Sequence, residues 1–388
     1  MDLDAFRQLL TPRGQEALKA AAEVVDDDPV TAVTRLRRSH DAGLTSAALT
    51  QATLRARAAG KFGADAELMY FTRAGLEQAT RREVADHRAR RMAPDSLVAD
   101  VCCGVGGDLL ALARAGCAVE AVDADPLTAA IARANADALG LGDRVSVRTA
   151  DAATVDPSAF DVLFADPARR TARGRTFDPM AYSPPWPEVL EMVARSRAAC
   201  LKVAPGIPHG FVPGGAEAEW VSYRGEVKEA VIWCGGLAGG GGRRATMLPS
   251  GATMTPDPAL GRAEHGPVGR YVYEPDGAAI RAHLVAEVAA LVGGRLIDPQ
   301  VAYITGDVAA RTPWASGYEV HEVLPFSLKR LRAALRERGV GNATIKKRAS
   351  AVDVDRLRKD LRLSGDQSAT VILTRIRERP FALICTPF

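Results

Sequence analysis

The 388 residues contain no run of about eighteen apolar residues, so no transmembrane helix is expected. The first residues, MDLDAFRQLL, carry acid where a signal peptide carries base, which argues against secretion and for a cytoplasmic protein. Six cysteines show no C-x-x-C spacing, and Cys102 and Cys103 are adjacent. Neither a zinc ribbon nor a disulfide scaffold is therefore predicted, and a reducing compartment fits. The six histidines have no paired spacing, so no metal site is predicted. Internal repeats and low-complexity tails are also lacking.

What is present suits a soluble globular chain of two or three domains, with 47% apolar and 25% charged residues. The net charge of +3 conceals a division. Residues 326–388 hold 15 Lys and Arg against 6 Asp and Glu, which leaves 35 against 41 in the remainder. An acidic body with a basic attachment is the electrostatic pattern of a polyanion binder.

Four segments are expected: a helical region over 1–92, an α/β domain over 93–255, a connecting region over 256–325 and a basic domain over 326–388. The first is rich in Ala, Leu, Arg and Glu without β-branched runs, and GLEQATRREVADHRARR (75–91) reads as one helix. From Leu97 onward, short apolar strands alternate with helical stretches: LVADV, AVEAV, VSVRT, DVLFA and ACLKV. That alternation predicts a parallel sheet covered on both faces. EWVSY and EAVIWC, separated by a short polar turn, would add a hairpin and bring the sheet to seven strands. Gly235–Gly242 reads as a flexible loop or linker, and AAIRAHLVAEVAALVGG as one helix. The basic end reads as a helix (SLKRLRAALRERG), a turn at Gly341–Asn342, a basic knot (IKKR), a helix and an apolar strand (ATVILTRI).

The sharpest local motif is DVCCGVGGD, from Asp100 to Asp108, where a strand ends and a helix begins. Gly104, Gly106 and Gly107 permit a tight turn and close approach of a nucleotide. A dinucleotide fingerprint would place glycine at position 109, where Leu109 stands. Asp100 ends the first strand and can meet the amino group of a methionine moiety. Asp123 ends the second strand and suits a ribose diol, while Asp151 after the third can accept from an adenine amine. The pattern points to S-adenosylmethionine. The bland alternative is a doubly wound domain whose glycines only turn and whose acids only cap.

After the fourth strand comes FADPARR. The Asp166 carboxylate, with a backbone carbonyl near Pro167, can hold a base amine with its lone pair toward a sulfonium methyl, and catalysis then rests on positioning. Arg169 and Arg170 can hold a phosphate or a base edge, or simply pair with a neighbouring acid. SPPW, Ser183 to Trp186, has the form of an amine-methylation signature but lacks a preceding strand, so a proline-initiated helix competes with a stacking role for Trp186. Lys202 ends the fifth strand near the same rim, where it is either part of the site or, more simply, a solvated lysine.

The block from Lys61 to Arg170 resembles the trimethylguanosine synthase-like group of class I methyltransferases. The match runs through Lys61, Phe62, Phe71, Thr72, Arg73 and Gly75, then Asp100 and Cys103 to Gly107, then Asp123, Asp125, Pro126 and Asn135. That group's S-P-P-W after strand four is replaced here by D-P-A-R. The whole chain is similar to bacterial class I methyltransferases with a carboxy-terminal THUMP-like domain, through DPARR, EVLPFSLKRLR and the terminal GNATIKKR to ATVILTRI. The resemblance implies a Rossmann-like seven-stranded sheet, an α+β THUMP-like domain and RNA presented to the catalytic domain.

Apart from the resemblance, the contiguous Lys346, Lys347 and Arg348 suit a phosphate backbone, as do Lys329, Arg332 and Arg336 on one helix face. Few aromatics lie among them, which favours structured RNA over single strands. The expected function is methylation of a base nitrogen in tRNA or rRNA. A non-catalytic RNA-binding protein on the same scaffold, or a methyltransferase of small molecules or proteins, are the alternatives.

Overall fold

Asp2, Thr11, Asp28 and Asp41 each accept a hydrogen bond from an amide in the first turn of a following helix, a cap worth about 1 kcal/mol. The helices are α1 (Leu3–Leu9), α2 (Pro12–Ala22), α3 (Pro29–Leu36) and α4 (Ala42–Phe62), with proline opening α2 and α3. The computed structural model describes residues 1–168, 170–171, 174–175 and 178–388, without the side chains of residues 169–177. The stretch from Gly75 to Arg91 forms two helices rather than the single one expected, α5 (Arg73–Gln78) and α6 (Arg82–Ala89). Lys61 explains the break: its ammonium donates to the carbonyls of Leu76, Glu77 and Ala79 at 2.6–3.0 Å, ending α5.

The alternating segment folds as β1 (Leu97–Val101), α7 (Gly107–Arg114), β2 (Ala118–Asp123), α8 (Pro126–Ala138), β3 (Val145–Thr149), β4 (Val162–Ala165), α9 (Trp186–Arg195) and β5 (Ala198–Val203). These five strands are parallel, with β1 between β2 and β4. The expected hairpin is present as β6 (Glu217–Tyr223) and β7 (Glu226–Gly235), turning at Arg224 (φ 51°) and Gly225 (φ 80°). The seven strands foreseen are joined by two more, β8 (Gly242–Leu248) and β9 (Ala252–Met254), in the order β9-β8-β6-β7-β5-β4-β1-β2-β3. The glycine-rich stretch from Gly235 is thus a connection between sheet strands, and positive φ at Gly239, Gly240, Gly241 and Gly242 explains its composition. The order reverses between β1 and β4, so the loops after these two strands flank the crevice where open α/β sheets bind ligands.

By its contacts the chain divides into Met1–Ala218 with Glu229–Gly241, and Glu219–Lys228 with Gly242–Phe388. The second unit contains β10 (Tyr271–Pro275), α10 (Gly277–Arg281), α11 (Val285–Leu291), β11 (Arg295–Asp298), β12 (Val301–Gly306), β13 (Ala315–Pro325), α12 (Leu328–Glu337), β14 (Val340–Lys347), α13 (Val354–Leu361), β15 (Gln367–Ile376) and β16 (Arg379–Pro387). Strands β10 to β16 form one sheet, β11-β12-β10-β13-β16-β15-β14, so residues 256–325 and 326–388 contribute to the same layer. Leu331, Leu335, Leu357 and Leu361, spaced i, i+4 on α12 and α13, pack with Val371, Leu373 and Ile384. Val272, Tyr303, Ile372, Leu383 and Cys385 form a separate cluster.

Two expectations in this unit differ from the structure. The helix expected over 278–294 breaks at His283, whose φ of 57° closes α10 with Leu284 N bonding back to Ala279 O at 2.8 Å. The turn expected at Gly341–Asn342, with the basic knot after it, is instead strand β14, paired in parallel with β15. The register shifts between Val340 and Asn342, so the Gly-Asn pair marks a bulge.

Candidate active site

The loop after β1 takes a backbone that its sequence permits. Gly104 (φ 57°) and Gly106 (φ 90°) turn the chain into α7, and Cys102 shares the left-handed region at φ 77°. The amides of Cys102 and Cys103 both donate to the Val122 carbonyl at 3.0 Å. Asp123 grips the loop from β2, accepting from the Gly104 and Asp125 amides at 3.0 Å.

Residues of the helical lead-in brace this loop. Asn135 is fully buried; it donates to Val105 O at 2.8 Å and to Tyr70 O at 3.0 Å, and accepts from Tyr70 N at 2.6 Å. A Cβ on Gly75 would collide with Val105 Cγ1 and lie 2.8 Å from Thr72 Oγ1, so only glycine lets α5 approach the loop so closely.

Asp100 is 0% exposed, and neither carboxylate oxygen has a hydrogen-bond partner among the described residues. Burial, reinforced by Asp166 and Asp123, pushes its carboxyl up to about 8, against the opposing pull of Lys202 and Arg88. A buried acid left without a partner is costly. The cation of an amino-acid moiety suits it, and the glycine loop beside it suits close approach of a nucleoside, so the site fits S-adenosylmethionine. Burial also raises the Asp123 carboxyl, outweighing the lowering by its two amide donors. Asp151 is exposed, and its Oδ1 accepts from the Ala153 amide at 2.8 Å, capping the turn after β3.

The fourth strand delivers Asp166 to the crevice, where its side chain is 27% exposed. Its Oδ2 is ion-paired with Lys202, which is 5% exposed and not the solvated residue its sequence context suggested. Lys202 Nζ also lies 3.5 Å from Asp108 Oδ2. Asp108 is paired in turn with Arg88, and Arg88 with Glu229. Thr80 Oγ1 donates to Asp108 Oδ2 at 2.9 Å. Sequence reasoning missed Arg88, Asp108 and Glu229 because they come from α6, the first turn of α7 and β7. Register is the one available signal: Ala165 pairs with Leu201, which sets the next residues, Asp166 and Lys202, side by side.

Pro167 is buried next to Asp166. Ala168 forms a two-bond bridge with Ser183, at 2.8 and 3.0 Å, so the structure joins the start of SPPW to the end of the DPA turn. Trp186, however, is 3% exposed and sits edge-to-face on Phe211 at 6.4 Å. Its ring packs the start of α9, which corrects the expected stacking role: a buried face offers nothing to a base. Arg169 and the Arg170 side chain lie outside the described residues.

The basic triplet does not act as a free set. Lys346 Nζ lies 2.6 Å from Glu274 Oε2, and Arg348, the residue after β14, places Nη2 3.6 Å from Glu274 Oε1. Lys347 is exposed and donates to Val352 O at 3.1 Å. Arg332 donates to the Asp360 carbonyl, while Lys329, Arg330 and Arg336 on α12 are exposed.

Among the described residues, no helix is long and apolar enough to cross a membrane, and no group of three or more His, Cys, Asp or Glu side chains could hold a metal ion. Family profiles match as Methyltransferase domain over residues 98–172, THUMP domain-like over 315–387 and a domain of unknown function over 2–58. Two strains of Mycobacterium tuberculosis carry an uncharacterized S-adenosylmethionine-dependent methyltransferase that is 40% identical over 336 residues, covering 83% of this chain and 90% of the relative. A crystal structure from Porphyromonas gingivalis, provisionally assigned as a methyltransferase, superposes with a TM-score of 0.75 at 20% identity, covering 96% of this chain and 98% of that one, and shows the shared fold. With its glycine loop, switch-point crevice and THUMP-like segment, the chain belongs to the S-adenosylmethionine-dependent methyltransferases.

Proposed function

We propose that this enzyme methylates a base nitrogen of structured RNA, tRNA or rRNA, in the cytoplasm. The observation that carries the proposal is the Asp166 carboxylate at the switch point, held through Oδ2 by the buried Lys202 and still partly exposed to the crevice. Bound S-adenosylmethionine supplies an electrophilic methyl on a sulfonium. Asp100 would hold its amino group, Asp123 its ribose diol and Asp151 its adenine amine, with Gly104, Gly106 and Gly107 allowing close approach of the backbone. Asp166 accepts an N–H of the base and turns the nitrogen lone pair toward the methyl, and the buried Pro167 stiffens the turn. The rest is positioning for in-line transfer. The THUMP-like match and the exposed bases of α12 support RNA as substrate. The free cysteines support a reducing compartment.

Nucleoside mass spectrometry of total RNA from a deletion strain tests the substrate, since a missing modified nucleoside names base and atom together. Complementation by Asp166→Asn should fail to restore it, with transfer slowed by about 100-fold or more. Calorimetry should show that this variant still binds S-adenosylmethionine. An unchanged RNA profile in the deletion strain would turn the assignment toward a small molecule or protein substrate.

A further inference from the structure

A chain of alternating charges, Glu229–Arg88–Asp108–Lys202–Asp166, runs through the core and ends at the crevice. Arg88 is 1% exposed and Lys202 5%, and only Asp166, at the end of the chain, reaches solvent appreciably. Burying ions is expensive, and hydrophobic residues of similar size would stabilise such a core as well or better. Asp108 does not need Lys202, because it already has Arg88 and the Thr80 hydroxyl and stands 3.5 Å from the lysine. The close contact of Lys202 is with Asp166, its neighbour by register across β4 and β5.

We infer that Lys202 is a positioning residue for methyl transfer: its buried ammonium clamps Asp166 Oδ2 and so aims Oδ1 at the target amine. The Arg88–Asp108 pair braces the ammonium from behind, so that a flexible lysine holds one geometry. Nothing is transferred through the lysine; its part is to restrict the carboxylate. This inference rests on Asp166 being the acceptor.

The test compares wild type, Lys202→Met and Lys202→Arg, crystallised with S-adenosylhomocysteine and assayed on RNA from the deletion strain. In Lys202→Met the Asp166 carboxylate should leave its place or spread over several rotamers, and in Lys202→Arg it should stay. The Met variant should lose about 100-fold in kcat, with KM for RNA nearly unchanged, and the Arg variant should recover part of that loss. A carboxylate unmoved in the Met variant would overturn the inference, whatever the substrate proves to be. Should Lys202→Met fail to fold, Lys202→Met with Asp108→Asn keeps the buried charge balanced and carries the same comparison. Wild-type kcat in Asp166→Asn would instead sink the acceptor role of Asp166, leaving the crystallographic result on Lys202 standing.

Discussion

In the role proposed for Asp100, a stability problem becomes a binding determinant. Its carboxyl is raised from the ordinary range to about 8, so between these values the folded protein keeps a proton that the unfolded chain releases. Its contribution to stability is therefore fully present below the ordinary carboxyl range and is lost as pH rises through about 8, at up to about 1.4 kcal/mol per unit. A cationic cofactor reverses the preference by favouring the ionised carboxylate. Affinity for S-adenosylmethionine should accordingly rise from pH 6 to pH 8 and then level, by as much as about tenfold per unit. Titration calorimetry across that range checks it, with Asp100→Asn expected to bind weakly and without the pH dependence. The same slope in the Asn variant would remove Asp100 from the coupling.

At the scale of elements, the glycine loop owes its shape to segments far from it in sequence. Gly75→Val would drive a methyl-bearing carbon into Val105 and separate α5 from the loop. It should cost about 1–3 kcal/mol and weaken cofactor binding, read by thermal melting and calorimetry. Wild-type values for both would show that α5 does not set the loop. Asn135→Leu tests the same brace from α8, leaving Tyr70 N and Val105 O without their partner at about 1–3 kcal/mol each. Elements with strong local patterns were legible: the parallel strands, the loop between β1 and α7, the hairpin of β6 and β7 and the strand β15. Elements whose ends depend on distant groups were not. The end of α5 is decided by the Lys61 ammonium, and the Gly-Asn pair of β14 became a bulge because β15 lay alongside to receive it.

For the whole molecule, the charge division located the basic segment, but the fold decides which of its bases face solvent. Charge reversal at Lys329, Arg330 and Arg336 should weaken RNA binding and flatten its salt dependence by about one in slope per lost phosphate contact. Lys346→Ala with Arg348→Ala should instead lower the melting temperature, since Glu274 loses both partners. Unchanged RNA affinity in the α12 variant would free this segment from substrate binding. The sequence by itself determined the class of fold, the glycine loop, the acids at the strand ends and the basic segment, because backbone conformation and periodicity act over a few residues. Only the tertiary structure decided that Lys202 meets Asp166 across 36 residues, Lys346 meets Glu274 across 72 and Arg88 meets Glu229 across 141. Those pairings follow from strand register and packing, and desolvation there makes a charge seek a partner that its local sequence does not name.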